Sequence, residues 1–233
     1  MRQGAVGQVR VVQHRGRPVV EKRFADPARQ QAEVGALRAL AGGPLPVPEL
    51  LEEAPGAILM TLVAGERLDS GSADLRLARL RASAPLLRRL HAYPPPEGLP
   101  PRPDDLAVVR RYRAGDGPPL PLVVPPSGAL AFCHGDWTDG NVLAVGARIS
   151  AVLDWEAAHL GDPVRELSRA AWGASLKDAR SVEALVQGYG ADLDAVRAWF
   201  PVHAAELWLW FAETGPPAYL DALTERLRRW PDG

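Results

Sequence analysis

The sequence is poor in cysteine, lysine and asparagine, and it lacks any long hydrophobic run. Cys133 is the only cysteine in 233 residues, which excludes an internal disulfide framework and any multi-cysteine zinc site. No apolar stretch approaches the roughly 18 residues that suggest a membrane-spanning helix. The opening Met1-Arg2-Gln3-Gly4 lacks the apolar segment of a secretory signal. A cytoplasmic protein with no membrane partner is the expectation. Charge of one sign is lacking too: 27 bases against 28 acids leave −1. Proteins that bind nucleic acid by neutralising phosphates carry a large basic excess, so no nucleic-acid partner is expected. No G-x-x-x-x-G-K-[ST] run occurs, which removes the P-loop as a source of nucleotide binding. With 47% apolar and 24% charged residues the composition is that of an ordinary globular chain.

The scarce residues are informative by position. Among the 27 bases only Lys22 and Lys177 are lysine, and Asn141 is the sole asparagine. A GC-rich coding sequence depletes both residue types together. A lysine or asparagine that survives such a bias is a candidate for a role its side chain alone performs.

Residues 5–24 read as strand, turn and strand around Arg15-Gly16. Asp26-Pro27 begins a helix by supplying an N-cap and a first-turn proline, and Gly42-Gly43 ends it. Ala57–Leu62 is a short apolar run with the character of a buried strand. Residues 74–93 return to helical spacing, and Pro94-Pro95-Pro96 stops them. Residues 94–128 form an irregular crossing segment with room for a short helix over Leu106–Tyr112. Short strands are expected at Leu130–Cys133, Val142–Val145 and Ile149–Leu153. Everything from Pro163 onward is expected to be helical, with Trp172, Leu185, Trp199, Leu207, Trp210 and Leu223 as core anchors. The order describes a small mixed unit followed by a mostly helical one, with the cleft between them as the place for chemistry.

The most informative stretch is His134-Gly135-Asp136-Trp137-Thr138-Asp139-Gly140-Asn141, followed by Leu153-Asp154-Trp155-Glu156. As spacing it is H-x-D-x-x-x-x-N and then a second aspartate after a strand. Phosphoryl transfer needs a carboxylate to orient the attacking hydroxyl and accept its proton, and oxygen ligands for Mg²⁺. Asp136 suits the first task, and Asn141 with Asp154 the second. An asparagine oxygen ligates a hard cation without adding negative charge beside the phosphates. Each residue alone has a commonplace alternative as a cap or turn former, but the three together at this spacing point to catalysis.

These pieces, with Leu160-Gly161-Asp162-Pro163, the helix end Arg89-Leu90-His91-Ala92 and the connection Met60–Gly65, resemble the aminoglycoside phosphotransferase family of small-molecule kinases. The resemblance spans nearly the whole chain in matching order. It implies an α+β, protein-kinase-like bilobal fold. Residues 1–63 would form a small β-rich, nucleotide-binding N-lobe, and residues 64–233 a mostly helical C-lobe holding the catalytic loop, metal site and acceptor. It implies that Lys22 contacts the ATP phosphates, with Glu33 as its partner. Backbone around Thr61, Leu62 and Val63 would meet the base, with Leu143 and Leu153 as an apolar floor beneath it. His134 would brace the catalytic loop. The implied cofactors are ATP, or another nucleoside triphosphate, and Mg²⁺.

The implied reaction is ATP-dependent phosphorylation of a small-molecule hydroxyl, on an aminoglycoside or another amino sugar or amino alcohol. Eight acids against four arginines over residues 183–233 would suit a polyamine, though acids on helices are usually solvated. Only three residues precede Gly4, so the strand that normally opens such a lobe is expected to be absent or vestigial, with Gly4-Ala5-Val6-Gly7 as a residual phosphate-covering loop. That short start motivates the rival from another class: a weak or inactive kinase-like nucleotide-binding module with a regulatory or interaction role.

Overall fold

Two antiparallel strands, β1 (Gly7–His14) and β2 (Arg17–Phe24), open a computed structural model that describes residues 7–102 and 104–230. Gly4-Ala5-Val6 lie outside the described residues, and Gly7 begins β1. The hairpin closes through Arg15 and Gly16, with φ of 50° and 78°, the sign that matches a two-residue turn to the twist of its strands. Asp26 caps α1 (Pro27–Leu40) by accepting the Ala28 amide at 2.8 Å. A second hairpin, β3 (Leu50–Ala54) and β4 (Ala57–Thr61), completes a sheet ordered β1-β2-β4-β3. Val19, Ile58 and Met60 bury their side chains in this part of the fold, as do Val34, Leu37 and Leu40 of α1. The sequence pattern does not reveal β3. It is an edge strand whose Glu52 and Glu53 are exposed, so it carries no hydrophobic alternation.

Past Thr61 the chain crosses to the second lobe. Glu66–Arg67 forms a minimal strand, β5, and α2 (Ala73–His91) starts on a Ser72 cap. Arg79 of α2 is 1% exposed. Its guanidinium donates to the carbonyls of Gly146, Arg67 and Ser70 at 2.8, 3.0 and 2.8 Å and to the Glu66 carboxylate at 2.9 Å. One side chain thus ties the crossing segment to a later hairpin. The proline-rich stretch that follows contains α3 (Asp105–Arg113), capped by Asp104. Four short strands come next: β6 (Ala131–Cys133), β7 (Val142–Val145), β8 (Arg148–Val152) and β9 (His159–Gly161). They form a β5-β7-β8 sheet and a β6-β9 pair. β5 and β9 are too short to show a period, which hides them from sequence patterning.

Five helices finish the described residues: α4 (Pro163–Ser175), α5 (Arg180–Tyr189), α6 (Leu193–Arg197), α7 (Phe200–Thr214) and α8 (Pro217–Arg228). Trp172, Trp199, Trp208 and Leu223 share a core with Tyr112 of α3. Trp210 does not join it: its side chain is 45% exposed. Two residues along a helix turn a side chain by about 200°, so Trp208, seated on Tyr112 with ring centroids 5.3 Å apart, leaves Trp210 facing outward. Leu207 is partly buried. His203 is fully enclosed against Glu206 and the Arg165 carbonyl, and burial lowers its pKa from 6.5 to about 4.

Arg79→Ala leaves three carbonyls without their donor and should cost roughly 3 kcal/mol in urea denaturation; a loss under about 1 kcal/mol would show that those carbonyls find other partners. His203 stays neutral in the folded protein while the unfolded chain takes up a proton. Stability should therefore fall as pH drops from 6.5 to about 4, and His203→Gln should flatten that slope in pH-dependent thermal melts.

Candidate active site

The loop that carries Asp136 begins where β6 ends, and a buried carboxylate holds it there. Glu166, one turn into α4, accepts the backbone amides of His134 and Gly135 at 3.1 and 2.5 Å and the His91 Nε2–H at 2.8 Å. Burial alone would raise its pKa, but the His91 contact and the other donors outweigh that and hold it down at about 2. Gly135 has φ of 84°, and a Cβ there would fall on the Ala157 carbonyl oxygen. The loop therefore needs glycine at that point. The His134 ring accepts the Asp136 amide on Nδ1 at 3.1 Å, which leaves Nε2–H to donate to the Leu153 carbonyl at 2.8 Å. It lies between the Asp136 loop and the strand leading to Asp154, and it packs on Trp155.

Asp136 projects from this loop with its side chain 40% exposed. Its Oδ2 accepts Asn141 Nδ2 at 2.8 Å, and Arg169 of α4 approaches Oδ1 at 3.5 Å. The Asn141 carbonyl accepts the Leu153 amide at 2.7 Å, which sets Asn141 beside Asp154. Asp154 has φ of 63°. A non-glycine residue in that region is strained by about 1–3 kcal/mol, a common mark of functional turns.

Asp154 reaches across the cleft to the N-terminal sheet. Lys22, on β2 and 4% exposed, places its ammonium 2.6 Å from Glu33 Oε2, 2.7 Å from Asp154 Oδ1 and 3.1 Å from Glu156 Oε2. Glu33 lies on the buried face of α1, directly over the strand. Burial would depress the lysine pKa, but the charges of Glu33 and Asp154 prevail and raise it. Arg29 takes the other oxygen of Glu156 at 2.9 Å. Arg23, next to Lys22, points to the opposite, exposed face and pairs with Glu21.

The donor set fits a hard divalent cation. Glu33, Asp154 and Glu156 bring carboxylate oxygens within 4.8 Å of one another. Three carboxylates against Lys22 and Arg29 leave a net negative charge. Among the described residues, Asp154 Oδ2 and the Asn141 amide oxygen take no hydrogen bond. Both are oxygen donors of the kind Mg²⁺ prefers.

The region expected to meet a nucleotide base lies at the crossing. The Thr61 amide donates to the Glu49 carbonyl at 2.9 Å, so that donor is already engaged. Leu62 is exposed, while Val63, Leu143 and Leu153 are partly buried. Gly65 packs so closely on the β7–β8 hairpin that a Cβ would clash with the Ser150 hydroxyl and crowd Leu143, which holds the crossing segment against that hairpin.

On the other side of the loop is a cavity of about 220 Å³ lined by Arg67, Leu80, Trp137, Asp139, Arg169 and Lys177 among others. Trp137 is buried against the His134 ring and forms part of the wall of this cavity. Four of the eight acids counted over residues 183–233 are engaged, while Glu183, Asp194 and Asp221 are exposed. Asp192 caps α6, Glu213 pairs with Arg111, Glu225 with Arg229, and Glu206 with Arg169.

Sequence reasoning missed four participants: Arg29, Glu156, Glu166 and Arg169. Glu156 had a signal in the D-x-E spacing after Asp154. Glu166 had a weaker one, an acid beside Leu167 on the apolar face of α4. Arg29 and Arg169 had none, because their partners are remote in sequence.

The family model described as the phosphotransferase enzyme family matches residues 2–199. Among solved structures, a thermostable mutant of aminoglycoside phosphotransferase APH(4)-Ia in ternary complex with AMP-PNP and hygromycin B is 18% identical, with a TM-score of 0.68 over 97% of this chain and 90% of that one. The macrolide 2'-phosphotransferase MphH from Brachybacterium faecium is 22% identical, with a TM-score of 0.61 over 98% and 89%. A putative aminoglycoside phosphotransferase from Ralstonia eutropha JMP134 is 18% identical, with a TM-score of 0.62 over 97% and 91%. No curated protein sequence matches significantly. The fold is the bilobal, protein-kinase-like one, with a β-sheet lobe and a mostly helical lobe, and no described helix is long and apolar enough to cross a membrane. By its match over most of its length, the chain belongs to the phosphotransferase enzyme family.

Proposed function

We propose that this enzyme transfers the γ-phosphoryl group of ATP, or of another nucleoside triphosphate, to a hydroxyl of a small molecule. The observation that carries the reading is the meeting of Lys22, Glu33 and Asp154 across the cleft, beside a loop that presents Asp136 and Asn141. Residues 1–63 serve the nucleotide and residues 64–233 the acceptor, with Leu62, Val63, Leu143 and Leu153 around the base. The finer acceptor class is an aminoglycoside or another amino sugar or amino alcohol. Its support is that relatives of the same fold include aminoglycoside and macrolide phosphotransferases.

In this reading Asp136 accepts the proton of the acceptor hydroxyl as its oxygen attacks the γ-phosphorus. The bond from that phosphorus to the bridging oxygen breaks, and the nucleoside diphosphate leaves with the electron pair. Asp136 needs only to orient and receive, because the transition state demands alignment and charge neutralisation more than covalent help. Lys22 holds the phosphates, and Glu33 keeps the ammonium from swinging away. Asn141 and Asp154 would hold Mg²⁺, which when bound neutralises charge on the phosphate oxygens.

MgATP turnover against a panel of aminoglycosides, sugars and amino alcohols tests the assignment, and absence of transfer to any of them would favour a nucleotide-binding module without catalysis. Asp136→Asn should abolish transfer while MgATP affinity stays near wild type; an equal loss of both would remove Asp136 from the base role. Lys22→Arg should lower transfer at least about tenfold, or about 1.4 kcal/mol, because a wide planar fork does not replace a compact ammonium. Wild-type rates in that variant would remove Lys22 from phosphate positioning.

A further inference from the structure

Asp136 is half-exposed on a loop, yet both of its carboxylate oxygens are restrained. Asn141 holds Oδ2 at 2.8 Å, and Arg169 Nη2 lies 3.5 Å from Oδ1. The second contact is ionic, being too long for a good hydrogen bond. Among the described residues Arg169 is the only basic side chain within 4.0 Å of that carboxylate.

Arg169 is itself anchored. Its Nη1 donates to Glu206 Oε2 on α7 at 2.9 Å. Glu206 also faces Arg165 at 3.4 Å and His203 Nδ1 at 3.5 Å. Arg165 in turn pairs with buried Asp105 of α3 at 2.6 Å. The charges alternate in an unbroken run: Asp105, Arg165, Glu206, Arg169, Asp136. The run begins in α3, passes through α4 and α7, and ends on the catalytic loop. Burial would raise the pKa of Glu206, but His203, Arg169 and Arg165 together hold it far below the usual carboxylate range, so Arg169 has a permanently charged anchor.

We infer that Arg169, held by Glu206, is a positioning residue that orients the Asp136 carboxylate toward the acceptor hydroxyl. The inference rests on the reading of Asp136 as proton acceptor. A carboxylate tied at one oxygen still rotates about its side-chain torsions, whereas ties at both oxygens set its plane. Arg169 also lines the cavity beside the loop. A clamp between α4 and α7 would need only the Glu206 contact and would leave the Asp136 contact without consequence.

The test is MgATP turnover by Arg169→Gln, Arg169→Lys, Glu206→Gln and the Arg169→Gln/Glu206→Gln double variant, with the best acceptor of the panel and with water as acceptor. MgATP affinity and thermal melting are measured in parallel. Arg169→Gln should lower kcat at least about tenfold, with MgATP affinity within about twofold of wild type. Arg169→Lys should recover part of kcat, because the positive charge remains. Glu206→Gln should lower kcat less than Arg169→Gln, and the double variant should be no slower than Arg169→Gln alone, since both act through one contact. If kcat merely follows melting temperature across the variants, the network is only a helix clamp and the inference fails. If Arg169→Gln keeps the wild-type kcat while Asp136→Asn abolishes it, the inference fails and the Asp136 reading stands. If Asp136→Asn turns over normally, or the wild-type protein turns over no MgATP even with water, the reading itself falls and takes the inference with it.

Discussion

Much of the site depends on one buried carboxylate. Glu166 is buried, with 4% of its surface exposed, and an unpaired carboxylate there would be costly. Its environment is built from donors: two consecutive loop amides and the His91 ring. These donors come from the end of α2 and the start of the Asp136 loop, so α2, α4 and the loop settle into one arrangement or leave the charge unsatisfied. Tyr189 extends the constraint to α5 by donating its hydroxyl to His91 Nδ1 at 2.7 Å. His134 then carries the order forward, from the Asp136 amide to the Leu153 carbonyl. Asp136 and Asp154, eighteen positions apart in the chain, are kept in relation by a ring that is itself fully buried.

A second constraint joins the lobes. Lys22 is the only lysine buried in the structure, and its ammonium is satisfied by three carboxylates from two lobes. Removing water from one positive charge is tolerable because the opposing charges are close and numerous. The same surplus of negative charge suits the cleft to a divalent cation. The strained backbone of Asp154 fits this picture, since its unusual φ is maintained by the Lys22 contact on one side and the Asn141–Leu153 hydrogen bond on the other.

The acidic excess of the C-terminal helices resolves differently from a simple count of charges. Asp192 caps a helix, Glu206, Glu213 and Glu225 pair with arginines, and Glu206 becomes part of a chain of alternating charges ending at Asp136, while Glu183, Asp194 and Asp221 face solvent. Net charge over a segment states how many groups are present. It does not state whether they face a substrate, each other or water.

The local grammar of the chain was legible without coordinates. The Asp26-Pro27 cap, the Arg15-Gly16 turn, the helical periods and the strand flanking Lys22 depend on neighbours within a few residues, and the structure has them where the pattern puts them. The spacing from His134 to Asn141 and on to Asp154 was equally visible, because the loop keeps those residues close in sequence. Elements without a period were invisible: the edge strand β3, the two-residue β5 and the three-residue β9. Trp210 was misplaced because an apolar residue on a helix reads as core until a neighbour such as Tyr112 decides which face is covered. By itself, then, the sequence determined the elements and the chemistry-bearing residue types. Only the tertiary structure decided that Glu166 would hold the loop, that Glu156 would join Lys22, and that Arg169 would reach Asp136. Those contacts span 31 to 134 positions of chain, and electrostatic pairing at such separation is set by how helices and sheets pack, which no local pattern records.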